Sequence, residues 1–105
     1  MLSIYPVYLQ LIRDLKPVVA QIRLHDRNLA NQIDDASNSG VLNLAEGSGA
    51  RAGRRRNAYN ISLSETRETL AGLELAEAHG FIRAIDAAMR AKFNHIIGTL
   101  VRNVF

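Results

Sequence analysis

The first part of the chain carries apolar residues at alternating steps of four and three. These residues are Ile4, Tyr8, Leu11, Leu15, Val18 and Ile22. Side chains at these steps share one face of an α-helix, so the pattern predicts an amphipathic helix. Pro17 lies inside the segment and removes the amide that would bond the carbonyl of Arg13. We therefore predict one kinked helix in preference to two separate helices, with Asp26 as the N-cap of the next helix.

Three later segments repeat the helical pattern. The second has Leu29, Ile33, Ala36, Gly40 or Val41, and Leu44; the third has Tyr59, Leu63, Thr66, Leu70 and Leu73; the fourth has Ile85, Met89, Phe93, Ile96 and Leu100. We predict that the third helix begins near residues 54–57 and ends at His79, because Gly80 can adopt the left-handed conformation that stops a helix. The glycine-rich stretch 47–53 is predicted to be a loop.

The four segments together predict the fold class. No segment alternates apolar and polar residues with a period of two, so no β-strand is predicted. Four helices of about 20 residues with short connections favour an all-α, antiparallel four-helix bundle with up-down-up-down topology. A chain of 105 residues fits one such domain, to which we assign residues 1–105.

The predicted helices are apolar on more than one face. The additional rows contain Tyr5, Leu9, Ile12 and Val19 in the first helix, Ala71, Leu75 and Ala78 in the third, and Ile97, Val101 and Val104 in the fourth. A core-facing stripe covers only about 100° of a surface helix. The extra rows favour burial between subunits of a homo-oligomer. The alternative is that wide stripes simply fill the core of one bundle.

Composition narrows the class of protein. Hydrophobic residues make up 48% of the chain and charged residues 22%, which excludes a wholly disordered protein. The absence of cysteine excludes disulfides, thiolate zinc sites and a thiol nucleophile, and it fits a reducing compartment. No apolar run is long enough to span a membrane, and the N-terminus lacks the basic start of a secretory signal. We therefore expect a cytoplasmic protein without a membrane partner.

The positive charge is concentrated in four arginines, which we call the basic segment: Arg51, Arg54, Arg55 and Arg56. These four residues contribute a charge of +4, whereas the whole chain has a net charge of +3. The other residues therefore have a net charge of −1. Guanidinium groups bind phosphates and carboxylates through paired hydrogen bonds. We predict that the basic segment contacts nucleic acid. The alternatives are a solvated loop, or pairing with Glu46 and neighbouring acids in a subunit contact.

Motifs for catalysis, cofactors or metals are missing from the sequence. Gly47–Arg56 lacks the lysine and hydroxyl ending of a phosphate-binding loop, and no strand precedes it as a dinucleotide site or a nucleophile elbow would require. His25, His79 and His95 do not have metal-ligand spacing. Asp34 and Asp35 are adjacent, so on a helix their carboxylates diverge by about 100°. We expect no enzyme activity, no cofactor and no metal.

Residues 29–82 resemble a known family. The pattern Leu-x-x-Gln-Ile-x-x-Ala-x-x-Ser of residues 29–39 is followed by Asn43-Leu44-Ala45-Glu46-Gly47. It resembles the bacterial four-helix-bundle family first found in intervening sequences of large-subunit ribosomal RNA genes. That family typically shows Asn-Ile-Ala-Glu-Gly, a basic glycine-containing loop and a helix that opens with an aromatic residue, here Tyr59. Gly40 and Val41 depart from the large aliphatic residue and proline common in the family, and Arg83 departs from its serine cap.

The resemblance implies a cytoplasmic, non-enzymatic bundle that assembles as a ring-like homopentamer. It also implies partners, because the related accessory proteins of diversity-generating retroelements bind nucleic acid and a reverse transcriptase. Asn43, Glu46, Gly47 and Tyr59 are expected to be structural residues of the motif. Glu46 in particular is predicted to be a partly buried carboxylate held by a hydrogen bond or an arginine. The leading hypothesis is a nucleic-acid-associated oligomer, RNA or DNA being left open; the alternative is an assembly module whose basic segment binds acidic protein surface.

Overall fold

The computed structural model describes residues 2–105, which form four α-helices and no β-strand. Helix α1 comprises Ile4–Arg23, α2 Arg27–Gly49, α3 Ala52–Ala78 and α4 Ala87–Val104. The all-α four-helix fold predicted from the sequence is confirmed. The described chain measures 42 × 25 × 21 Å. Its long dimension matches that of the 27-residue α3, since a helix of that length spans about 40 Å.

The helices pack in the order of the chain around a common core. The α2–α3 contact is the most extensive, and α1 packs on α2 and α4 while α4 packs on α3. Short connections join α1 to α2 and α2 to α3. Successive helices therefore run in opposite directions, and the bundle has two ends. The α2–α3 connection and the end of α4 lie at one of them, and the α1–α2 and α3–α4 connections lie at the other.

The predicted seams form most of the core. The fully buried large side chains are Ile4, Tyr8, Leu11, Ile22, Ile33, Leu44, Leu63, Leu73, Phe93, Ile96 and Leu100, with Thr66 among them. In α1, Val19 is buried and Val18 only half-buried. Val18 and Val19 lie three and four residues after Leu15, so helical spacing alone does not distinguish them, and the predicted seam named the less buried of the two. Helix α1 runs through Pro17 without interruption, as one helix and not two.

Local capping residues define three of the helix ends. The Asp26 carboxylate accepts a hydrogen bond from the amide of Leu29 at 3.0 Å, as predicted. Gly80 has a φ of +78°, and the amide of Phe81 bonds the carbonyl of Ala76 at 2.9 Å, which closes α3 as predicted. Asp86 caps α4 in the same way as Asp26 caps α2. Ile85, the first residue of the predicted fourth seam, therefore lies just before α4.

The predicted loop over residues 47–53 is wrong. Helix α2 continues to Gly49 and α3 begins at Ala52, so only two residues connect them. Gly47 lies within α2, and the ring of Tyr59 fills the space beside it: a Cβ there would lie 2.5 Å from ring carbons of Tyr59. The glycine thus permits close helix packing and does not supply a turn. The residue with positive φ at this junction is Ala52, the first residue of α3, with φ +46°.

A chain of buried hydrogen bonds ties α1, α2 and α3 together. The hydroxyl of Tyr8 lies 2.7 Å from that of Thr66, which donates to the carbonyl of Ser62 at 2.7 Å. The hydroxyl of Ser62 donates to the carbonyl of Gly40 at 2.7 Å. A Cβ on Gly40 would lie 2.0 Å from the Tyr8 hydroxyl. Any side chain larger than that of glycine at position 40 would therefore collide with Tyr8.

Candidate functional site

The basic segment surrounds the first turn of α3. Arg51 is the N-cap residue, with extended backbone (φ −122°, ψ 150°), and its carbonyl accepts from the amides of Arg54 and Arg55. Arg54, Arg55 and Arg56 follow on the first turns of the helix. All four arginines are exposed. Arg51, which was predicted to lie in the 47–53 loop, is thus the N-cap of α3, and the other three arginines lie at the start of the helix as predicted.

The start of α3 is positively charged for two independent reasons. The helix has no side-chain cap and no acidic residue in its first turn, so its first amides carry the positive end of the helix dipole. The arginines add full charges to the same place. Cations at a helix N-terminus oppose the dipole by a few tenths of a kcal/mol each when exposed. This end of the bundle thus attracts anions at a small cost in stability.

Arg55 has a structural role that distinguishes it from the other three arginines. Its Nε donates to the carbonyl of Ala50 at 3.0 Å and to that of Gly47 at 3.3 Å. The Gly47 carbonyl lies in the last turn of α2 and also accepts from the amide of Ala50 at 3.2 Å, and Ala50 is the residue that follows the helix. Arg55 therefore closes α2, a role the sequence pattern did not indicate. Within residues 2–105 no ion pair involves Arg51, Arg54 or Arg56.

The residues expected to be structural near the end of α2 differ in burial. Tyr59 is buried against Gly47, and its hydroxyl lies 3.4 Å from that of Ser48. Asn43 is half-buried and donates to the carbonyl of Ser39 at 2.9 Å, so its contact is local to α2. Glu46 is exposed, and no described residue pairs with it. The prediction of a partly buried, held Glu46 carboxylate is wrong for the single chain, because this position faces away from the α2–α3 contact.

The end of α4 adds a groove beside the basic segment that the sequence analysis missed. We call it the Phe105 groove; it is lined by Gly53, Arg56, Asn57, Asn60, Val104 and Phe105 and has a volume of about 390 Å³. The side chain of Phe105 is 90% exposed, the largest exposure among the large hydrophobic residues described. The predicted antiparallel topology could have indicated the groove, because in such a bundle the end of the fourth helix lies beside the start of the third.

The opposite end of the bundle shows packing of rings and no metal site. The rings of His25 and His79 both stack on that of Phe81, with centroids 4.9 and 5.0 Å away. Across residues 2–105, no group of three or more acidic or histidine side chains could hold a metal ion. None of the described helices combines the length and the apolar character needed to cross a bilayer.

Comparisons with protein-family models, with curated proteins and with solved structures give no match to this chain. The resemblance of residues 29–82 to the intervening-sequence family therefore stays a prediction. Two features meet at one end of the bundle, the basic segment and the Phe105 groove.

Proposed function

We propose that this chain is a cytoplasmic, non-catalytic, homo-oligomeric bundle of the intervening-sequence type that binds nucleic acid through its basic segment. One observation carries the proposal: Arg51, Arg54 and Arg56 are exposed, unpaired within residues 2–105, and grouped at an uncapped helix N-terminus. Phosphate oxygens are the acceptors that guanidinium groups and free helix amides both favour. A polyphosphate backbone would contact several of these donors at once.

Oligomerisation would multiply this charge. In the pentamer implied by the family resemblance, five copies of the four arginines would give 20 guanidinium groups. Apolar surface supports assembly, since Leu24, Leu42 and Leu75 are 79%, 66% and 49% exposed. Of these three only Leu75 belongs to the additional apolar rows, whereas Leu9, Val19 and Val101 of those rows pack in or against the core of the single chain. Light scattering at micromolar concentration should give about 58 kDa, five times 11.6 kDa; a mass near 12 kDa would contradict assembly.

The binding test replaces only the three unpaired arginines. Because Arg55 closes α2, replacing it would mix a stability effect with loss of charge. We expect Arg51→Gln/Arg54→Gln/Arg56→Gln to weaken binding to RNA or DNA at low salt while helicity is kept. The slope of log affinity against log salt should fall by about 2 to 3, since each lost phosphate contact removes about 0.7 to 0.9.

A matched control removes the same charge from other surfaces. Arg27, Arg67 and Arg83 are exposed and form no ion pair among the described residues. Their triple glutamine variant should retain most of the affinity and most of the salt slope. Equal loss in both triple variants would show a diffuse charge effect and contradict a site at the start of α3. Absence of binding by the parent chain at low salt would contradict nucleic-acid binding altogether.

The charge distribution along α3 favours one second candidate. Its start carries the basic segment, whereas its second half carries Glu65, Glu68, Glu74 and Glu77. The basic segment of one subunit could therefore bind the acidic half of α3 in a neighbour, as an assembly contact. In that case the Arg51/Arg54/Arg56 variant would dissociate into smaller species, whereas the control triple variant would keep the oligomer mass of the parent. Retained size with lost nucleic-acid binding favours the first proposal.

A further inference from the structure

The basic segment by itself contacts only phosphates, which carry little sequence or strand information. The Phe105 groove adds groups of a different chemistry directly beside it. We infer that this groove takes an unpaired nucleobase, so that the site binds single-stranded nucleic acid in preference to duplex. The inference rests on the proposed function and specifies its ligand.

Phe105 is placed as a stacking surface. Its amide bonds the carbonyl of Val101 at 3.1 Å, which fixes its backbone to the last turn of α4. Its side chain is 90% exposed, whereas Phe93 of the same helix is fully buried. Both faces of the ring are therefore open to a flat partner. Nucleobases stack on aromatic rings irrespective of their sequence.

Two amide side chains line the same groove. Asn57 and Asn60 are three residues apart on α3, so they share one face of the helix, and both are exposed. Neither side chain hydrogen-bonds to another residue in the part of the chain described. Each therefore offers a carbonyl oxygen and an NH2 group to a ligand. Asparagine is suited to base edges because these also combine donors and acceptors.

The remaining wall joins the groove to the phosphate-binding residues. Arg56 lines the groove and belongs to the basic segment, so a phosphate on Arg56 and its base on Phe105 would be neighbours in one nucleotide. The volume of about 390 Å³ falls within the range of about 300 to 1,000 Å³ typical of small-molecule sites. Bases in a duplex are stacked on one another and paired, so only an unpaired base can enter such a groove.

The test exploits the absence of tryptophan from the chain. In Phe105→Trp the indole is the only one in the protein, so its emission reports on this groove alone. Adding single-stranded oligodeoxyadenylate should quench that emission, and affinity should remain close to that of the parent. Leu42→Trp is the matched control, because Leu42 is also exposed, at 66%, but lies outside the groove; its emission should not change.

Affinity measurements complete the test. Phe105→Ala should weaken binding to the single strand by about 5- to 150-fold and leave binding to the matched duplex unchanged. If Phe105→Ala binds the single strand like the parent, or if the indole is not quenched, the inference is wrong while nucleic-acid binding by the basic segment stands. If the parent binds neither ligand, both fail. A change of oligomer size in Phe105→Ala would assign Phe105 to a subunit contact and overturn the inference.

Discussion

Replacing Gly40 with alanine tests the contact that joins α1 to the α2–α3 pair. The added Cβ would lie 2.0 Å from the hydroxyl oxygen and 3.0 Å from Cζ of Tyr8. Tyr8 is fully buried and bonded to Thr66, so its ring cannot swing into solvent without opening the core. The variant must therefore move α1 or abandon the hydrogen bond.

The expected cost follows from three terms. Overpacking of a core costs about 1 to 3 kcal/mol, and loss of a hydrogen bond costs about 0.5 to 1.5 kcal/mol. Alanine regains about 0.8 to 1.0 kcal/mol of helix propensity over glycine. The net destabilisation is about 0.5 to 3.7 kcal/mol, and about 2 kcal/mol in mid-range lowers Tm by about 8 to 16 °C. Thermal unfolding followed by circular dichroism, at one fixed protein concentration, measures the change.

Gly98→Ala is the control for this experiment. Gly98 lies inside α4, and a Cβ there would meet only the end of the Arg102 side chain, at 3.5 Å. That variant should be more stable than the parent by up to about 1 kcal/mol, because only the propensity term remains. In the Gly40→Ala background, Tyr8→Phe should recover part of the loss because it removes the nearest atom. A Gly40→Ala chain as stable as the parent would refute the reasoning.

Three further predictions concern stability. Asp86→Ala should cost about 0.5 to 2 kcal/mol in urea unfolding, because the cap on the amide of Met89 is lost, whereas Asp86→Asn should cost little. Burial raises the pKa of Tyr8 from 10.0 to about 12, so the folded state favours the neutral phenol. The contribution of Tyr8 to the free energy of unfolding is fully present below pH 10 and is lost as the pH rises towards 12. Tyr8→Phe should remove that pH dependence. Glu46→Ala should change stability by no more than about 0.5 kcal/mol, since Glu46 is exposed; a larger fall would place it in a subunit contact.

The helices were predictable because their signals are local. Apolar spacing defines the faces of α1 to α4, and the caps at Asp26 and Gly80 depend on neighbours within a few residues. The predicted loop failed because the role of Gly47 depends on Tyr59, which lies in another helix. Apolar periodicity therefore predicts where the helices are. It does not predict whether a glycine breaks a helix or lets a second helix pack closely against it.

The candidate site was predictable only in part. Clustering of the arginines is visible in the sequence, but the hydrogen bonds of Arg55 to the end of α2 depend on the shape of a two-residue connection. Phe105 becomes a neighbour of Arg56 only through the antiparallel return of α4, and the two are 49 positions apart in the numbering. Exposure of Glu46 likewise follows from which side of α2 faces α3.

The central claim is that one end of the bundle binds nucleic acid, and amide NMR spectra of the isotope-labelled chain test it most directly. During titration with a single-stranded oligonucleotide at low salt, we predict that amide shifts change in residues 51–60 and 101–105. Amides of the opposite end, in residues 24–26 and 79–86, should stay in place. Changes confined to that opposite end, or a spectrum that does not change at all, would contradict the account.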